Sequence, residues 1–169
     1  ETSLNRLQAD FAIAWPGEYG FVEGDLSSSR FAFGAVSTGT FKDIEVQISN
    51  PGNASLEICS IYLAKASFDE NGELANETRV EVDPELGLLS GQDGPAPGAG
   101  TLAPGSALDF LLHYSPLFGS PIEDDMYLVV KHDLNWNCEA EEASGDPLFI
   151  AIVGAGEGDP VPDIYANPQ

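Results

Sequence analysis

Apolar and polar positions alternate with a period of two along several short runs of this chain. Ile44, Val46 and Ile48 share one parity, and Glu45 and Gln47 the other. Leu108, Phe110, Leu112 and Tyr114 alternate with Asp109 and His113; Met126, Leu128 and Val130 repeat the pattern, and Leu148, Ile150 and Ile152 form the last run. This period marks strands with one buried face. Phe31 and Phe33 flank Ala32 in a brief strand ending at Gly34. Phe11–Trp15 predicts a first strand stopped by Pro16-Gly17, followed by loop with a short edge strand near Tyr19–Val22. Leu56 and Ile58 lie on one parity, Ile61 and Leu63 on the next. That switch predicts a bulge, or a strand covered on both faces.

Turn residues punctuate these runs. Ser37-Thr38-Gly39 and Asp69-Glu70-Asn71-Gly72 mark two turns. Asn50-Pro51-Gly52-Asn53 is the strongest, with Pro51 presetting φ and Gly52 expected to supply a positive φ. Thr78–Val82 reads as a strand broken by Asp83-Pro84, and Leu86–Leu89 as its return. Residues 92–100 read as loop, 134–146 as an acidic excursion, and 159–169 as a tail with three prolines. The tally is about seven to nine strands and no helix, an all-β antiparallel sandwich. The expected organisation is an N-terminal lead-in over 1–30, a sandwich over 31–156 and a Pro-rich tail or linker over 157–169. A long insert, 66–100, separates the third strand from the Leu108–Tyr114 strand.

Composition narrows the function. At 169 residues and 43% hydrophobic content, the chain can bury a core. Its formal net charge of -22 repels phosphate backbones and anionic membranes. The partners this leaves are cations, basic proteins or neutral glycans, with solubility the simplest use of so much acid. No apolar run reaches the 18 residues of a membrane helix, so direct membrane insertion is not expected. No signal peptide stands at Glu1, which is compatible with one having been removed. Cys59 and Cys138 match no zinc spacing. They are either both free or joined in one long-range disulfide, which an exported setting favours.

Candidate chemistry is sparse. Asp133, Asn135, Asn137 and Glu139 place oxygen side chains at alternating positions, as a loop around Ca2+ would. The stretch starts like an EF-hand but has Cys138 at the glycine position and Ser144 at the closing glutamate. The competing reading is a solvated acidic loop pinned by the disulfide. Asp69, Asn71 and Glu73 form a second, weaker oxygen-rich turn. Trp136 is either a ligand contact or a ring folded back over the sandwich end. His113 and His132 have no third ligand indicated. No Gly-x-Ser-x-Gly elbow is present, and the glycines at 154, 156 and 158 precede prolines where a nucleotide loop needs a helix. Asn53 and Asn76 begin glycosylation sequons.

Four segments in order resemble the choice-of-anchor D domains and their Hydin-like (ASH) relatives. These are Phe33-Gly34 with Val36 and Gly39; Ile48–Asn53 with Leu56, Ile58 and Ile61; Leu102–Gly105 with Phe110, Tyr114 and Pro116; and Pro147–Gly156. The resemblance implies an immunoglobulin-like sandwich in an exported bacterial surface protein, serving as a spacer or binding module within a larger chain or assembly. It carries no catalytic residues to transfer. The expectation is a non-enzymatic extracytoplasmic structural or protein-interaction module with an unknown protein or glycan partner. The alternative is a Ca2+-dependent ligand or glycan binder using the 133–142 loop.

Overall fold

The computed structural model describes residues 7–17, 20–22, 30–81, 83–90, 99–139 and 145–161. Eleven strands occur among them, in chain order β1 (Ala12–Gly17), β2 (Gly20–Val22), β3 (Arg30–Ser37), β4 (Lys42–Ser49), β5 (Leu56–Phe68), β6 (Leu74–Val80), β7 (Leu86–Ser90), β8 (Gly100–Leu102), β9 (Ala107–Tyr114), β10 (Met126–His132) and β11 (Leu148–Glu157). One sheet has the order β2-β1-β4-β9-β7; the other runs β3-β11-β10-β5-β6, with β8 beside the first residues of β5. The expected insert therefore supplies working strands: β6 and β8 pair with β5, and β7 with β9.

The alternating apolar residues meet between the sheets. Ile44, Val46, Ile48, Phe110, Leu112 and Tyr114 from one side pack on Phe31, Phe33, Leu56, Leu128, Ile150 and Ile152 from the other. Trp15 on β1 is 1% exposed and packs tilted against Phe31, with ring centres 4.4 Å apart. β1 belongs to the sandwich, through Ala12–Ala14 paired with β4. It also runs on through Pro16-Gly17, where a break was expected. Pairing with β4 has ended at Ala14, so the missing amide of Pro16 interrupts no bond on that side.

Two further features depart from the sequence reading. β11 pairs with β3 in parallel, so the second sheet is mixed rather than purely antiparallel. Gly52 does not have positive φ. A Cβ there would stand 2.2 Å from the Gln8 carbonyl oxygen, so this glycine serves a close approach of the chain preceding β1.

Asn50, 0% exposed, holds that approach together. Its Oδ1 accepts from the Asp10 and Gly52 amides at 3.1 and 3.0 Å. Its Nδ2 donates to the Ala54 and Leu102 carbonyls at 2.7 and 3.0 Å.

Candidate functional site

β5 explains its own irregular pattern twice over. Lys131 pairs with Ser60 but the next residue, His132, pairs with Ile58, leaving Cys59 as the bulged residue. Beyond the bulge both faces are covered. Ile61 and Leu63 enter the core, while Tyr62 and Ala64 join Val129 in a second buried cluster on the outer face, with Phe149 against it.

The bulge positions the disulfide. Cys59 bonds to Cys138, with Cα atoms 5.0 Å apart and a sequence separation of 79. The bridge ties β5 to the loop after β10. The rest of that loop is secured by its own backbone: the Asp133 amide donates to the Glu57 carbonyl, and the Trp136 amide to that of His132. Gly145 returns so close that a Cβ would lie 2.0 Å from the Asn135 oxygen. The loop encloses a shallow cleft of about 500 Å³ lined by Asp133, Leu134, Asn135, Trp136, Asn137 and Asp146.

The oxygens expected to wrap a cation are largely engaged locally. Asn135 Oδ1 accepts from the His132 amide at 3.0 Å, and its Nδ2 donates to the Val130 carbonyl. Asn137 Oδ1 accepts from the Glu139 amide. Asp133 and Glu139 are exposed. Among the described residues no three His, Cys, Asp or Glu side chains cluster as a metal site. In the weaker turn, Asp69 Oδ1 accepts from the amides of Asn71 and Glu73. Glu141, Glu142 and Ser144 lie outside the described residues.

The histidines have separate structural roles. His113 Nδ1 lies 2.6 Å from Asp43 Oδ1. His132 is 6% exposed, stacks at 4.1 Å on Phe11, and accepts the Leu134 amide on Nδ1. Burial lowers its pKa, against a smaller opposing pull from Asp133. In the unfolded chain His132 protonates near its ordinary value of about 6.5. Its contribution to stability is therefore complete above that pH and is lost as pH falls, until the folded state also binds the proton. Urea titrations between pH 7.5 and 5 should show stability falling with pH below about 6.5 through this residue. The loss should be absent in His132→Gln; equal pH slopes in the two proteins would refute it.

Trp136 folds back on the sheet rather than standing free. Lys131 Nζ sits 4.3 Å from its ring and 5.3 Å from that of Tyr62, and Arg79 Cζ lies 4.6 Å from the centre of the Tyr62 ring. The Tyr62 hydroxyl donates to Glu77. Burial first, and that bond second, push its pKa up. Farther along the face, Phe68, Tyr127 and Phe149 meet edge to face, with ring centres 5.3 to 5.9 Å apart. Edge-to-face rings do not form the coplanar platform on which a sugar ring stacks. An antiparallel sheet normally turns a polar face to water. Here the outer face of β5, β10 and β11 is aromatic and apolar. With the flanking strands β3 and β6 it also carries Arg30, Arg79 and Lys131, three of the six basic residues in a chain with 28 acidic ones. The sequence did carry a signal for this face: Tyr62, Phe149 and Val153 occupy the strand positions that alternation assigns to solvent.

No family model matches the chain, and no curated protein matches it. Among solved structures it is similar to the chaperone–tip adhesion subunit pre-assembly complex of the archaic chaperone-usher Csu pili of Acinetobacter baumannii. That match has 15% identity over 74% of this chain and a TM-score of 0.44, and this chain spans 54% of that one. It is similar to the ASH/PapD-like domain 7 of human CEP192, at 11% identity over 76% of this chain and 80% of that one, with a TM-score of 0.41. A family 123 glycoside hydrolase from Clostridium perfringens matches at 9% identity over 81% of this chain and 24% of its own, with a TM-score of 0.43. Likenesses this distant carry no argument about function. The immunoglobulin-like sandwich rests on the strand pairing described above.

Proposed function

We propose that this chain is a non-enzymatic structural or protein-interaction module of a cell-surface or secreted protein, of choice-of-anchor D type, working outside the cytoplasm. The observation that carries the reading is the second apolar cluster, on the outer face of the β3-β11-β10-β5-β6 sheet. A sandwich core is complete without it; around the buried Tyr62, Ala64 and Val129 the half-buried Tyr127 and Phe149 and the exposed Phe68 present apolar surface on that face, and such a patch marks a contact surface. The Cys59–Cys138 disulfide and the acidic surface support an oxidising, extracytoplasmic setting. The calcium-dependent alternative would require the local bonds of Asn135 and Asn137 to open.

A photoreactive benzoylphenylalanine in place of Tyr127, in the organism that makes the protein, tests this. The same residue in place of Glu45, on the outer face of the other sheet, is the control. A discrete protein adduct from position 127 and none from 45, unchanged by EDTA, is the expected result. Adducts from neither site, or equally from both, would overturn the reading. An adduct that needs Ca2+ would transfer the assignment to the calcium-dependent alternative.

A further inference from the structure

Four strands end the two sheets: β2 and β7 in one, β3 and β6 in the other. A strand edge is a template for pairing, and folded proteins blunt it with charge, a bulge or brevity. β2 has three residues. β3 begins with Arg30, and its register against β11 shifts past Val153. β6 carries Glu77 and Arg79. β7 has none of these protections beyond its modest length: Leu86–Ser90 holds no charge, no proline and no register shift.

The backbone groups of β7 face alternately toward β9 and away from it. The Ser115 amide donates to the Glu85 carbonyl at 2.8 Å, across a pair that continues the β7–β9 register. Bonded and non-bonded pairs alternate in an antiparallel ladder. Gly87 and Leu89 therefore bond to β9, and the N–H and C=O groups of Leu86 and Leu88 point outward. The Leu86 amide agrees, since it donates to Asp83 Oδ1 at 3.0 Å. The Leu86 carbonyl and both Leu88 groups stand at the edge, with no strand beyond them among the described residues.

Beside this edge the sandwich is open. Pairing of β6 with β5 ends at Leu63, and β8 covers only Leu56–Ile58. A cleft of about 230 Å³ lies between that gap and β7. Leu63, Leu86 and Leu88 supply apolar lining, and Arg79, Glu81 and Asp83 supply one net negative charge. Small-molecule sites run to about 300–1,000 Å³, so this cleft has room for a side chain or two. A bare backbone edge beside such a cleft suits an extended peptide, to which main-chain bonds give affinity and the cleft selectivity. The chain's net charge of -22 disfavours an acidic one.

We infer that β7 and this cleft form a second contact surface, separate from the outer face proposed above, which takes an extended segment of a basic partner protein. The segment lies antiparallel to β7 and bonds to the Leu86 carbonyl and both Leu88 groups. It places an apolar side chain in the cleft and, toward its C-terminal end, a lysine or arginine near Glu81.

Amide exchange and chemical shifts of the isotope-labelled chain, with its disulfide intact, test this. In the protein alone, the Leu88 amide should exchange about tenfold or more faster than those of Gly87 and Leu89. The probe is a pool of blocked heptapeptides with Val, Ile, Leu or Phe at the second, fourth and sixth positions, Thr at the other internal ones and Lys at the C-terminal end. At millimolar peptide, the Leu88 amide should slow by about tenfold, and the signals of Leu86–Ser90 should shift. Glu81→Lys should weaken binding by about threefold or more and favour the same pool ending in Glu. Glu81 is exposed, so the melt of that variant should match wild type. A Leu88 amide already as slow as its neighbours, or one unmoved by millimolar peptide, would overturn the inference. Binding indifferent to Glu81→Lys and to the terminal charge would overturn the basic partner. Shifts confined to Tyr127 and Ala64 would overturn the β7 site and leave the outer-face reading standing.

Discussion

Replacing Cys138 by Ser is expected to lower the unfolding free energy by about 4 kcal/mol. The bridge closes a loop across 79 residues of sequence. In the chain-entropy account, its removal frees the unfolded chain more than it disturbs the folded one. Strain adds little, because the loop keeps the backbone bonds from Asp133 to Glu57 and from Trp136 to His132. Urea unfolding should show a lower midpoint with near-native secondary structure before the transition. Wild type in reductant should reproduce the variant's curve. A loss below about 1 kcal/mol would mean that the unfolded chain is already held together near these positions.

Asn50→Ala is the second. It strips two amides and two carbonyls of their side-chain partner at a site with 0% exposure. Each buried group left without a bond costs about 1–3 kcal/mol, reduced where water or backbone can move in. The expected loss is about 3 kcal/mol. Its location is also specific, since the segment before β1, the Pro51–Asn53 turn and β8 all meet at this side chain. Hydrogen exchange should therefore quicken at Asp10 and Gly52 before it does in β10. Asn50→Asp separates the two halves of the amide. It keeps an acceptor for Asp10 and Gly52 but turns a carboxylate oxygen on the Ala54 and Leu102 carbonyls. It should be no better than alanine at neutral pH. An aspartate variant as stable as wild type would show that the Nδ2 bonds contribute nothing.

Much of this fold was legible because half-buried strands write their period into the chain. β4, β9, β10 and the core side of β11 follow directly from alternation, and the strong turn after Ser49 falls where its residues place it. Three-residue strands such as β2 and β8 have too few positions to show a period. The parallel partnership of β3 with β11 joins segments more than a hundred residues apart, and no local pattern encodes which distant strand becomes a neighbour. The Cys59–Cys138 disulfide, expected from an exported setting, is present, and the bulge at Cys59 aims it. The oxygen pattern of residues 133–139 proved ambiguous for a physical reason. Asn side chains at alternating loop positions suit a cation, but they suit equally well the capping of their own backbone, which is how Asn135 and Asn137 are used. The covering of β5 on both faces was one of the two readings of its pattern, but on β10 and β11 the outer face went unread because its signal lies in the solvent-parity positions of strands whose core parity already accounted for them.

The parallel β3–β11 pair and the bridge from Cys59 to Cys138 also bear on how this domain would respond to mechanical load. Tension applied between the start of β3 and the end of β11 pulls the two strands past one another along their length. Their hydrogen bonds must then yield together in shear, not one after another as in a hairpin opened from its end. Once they do, the bridge keeps the chain between its two cysteines from extending. At about 3.5 Å per residue, that withholds roughly 270 Å of length. Pulled in an oxidising medium, the domain should resist abruptly and then lengthen by only a fraction of its contour; the reduced protein should run out to full extension.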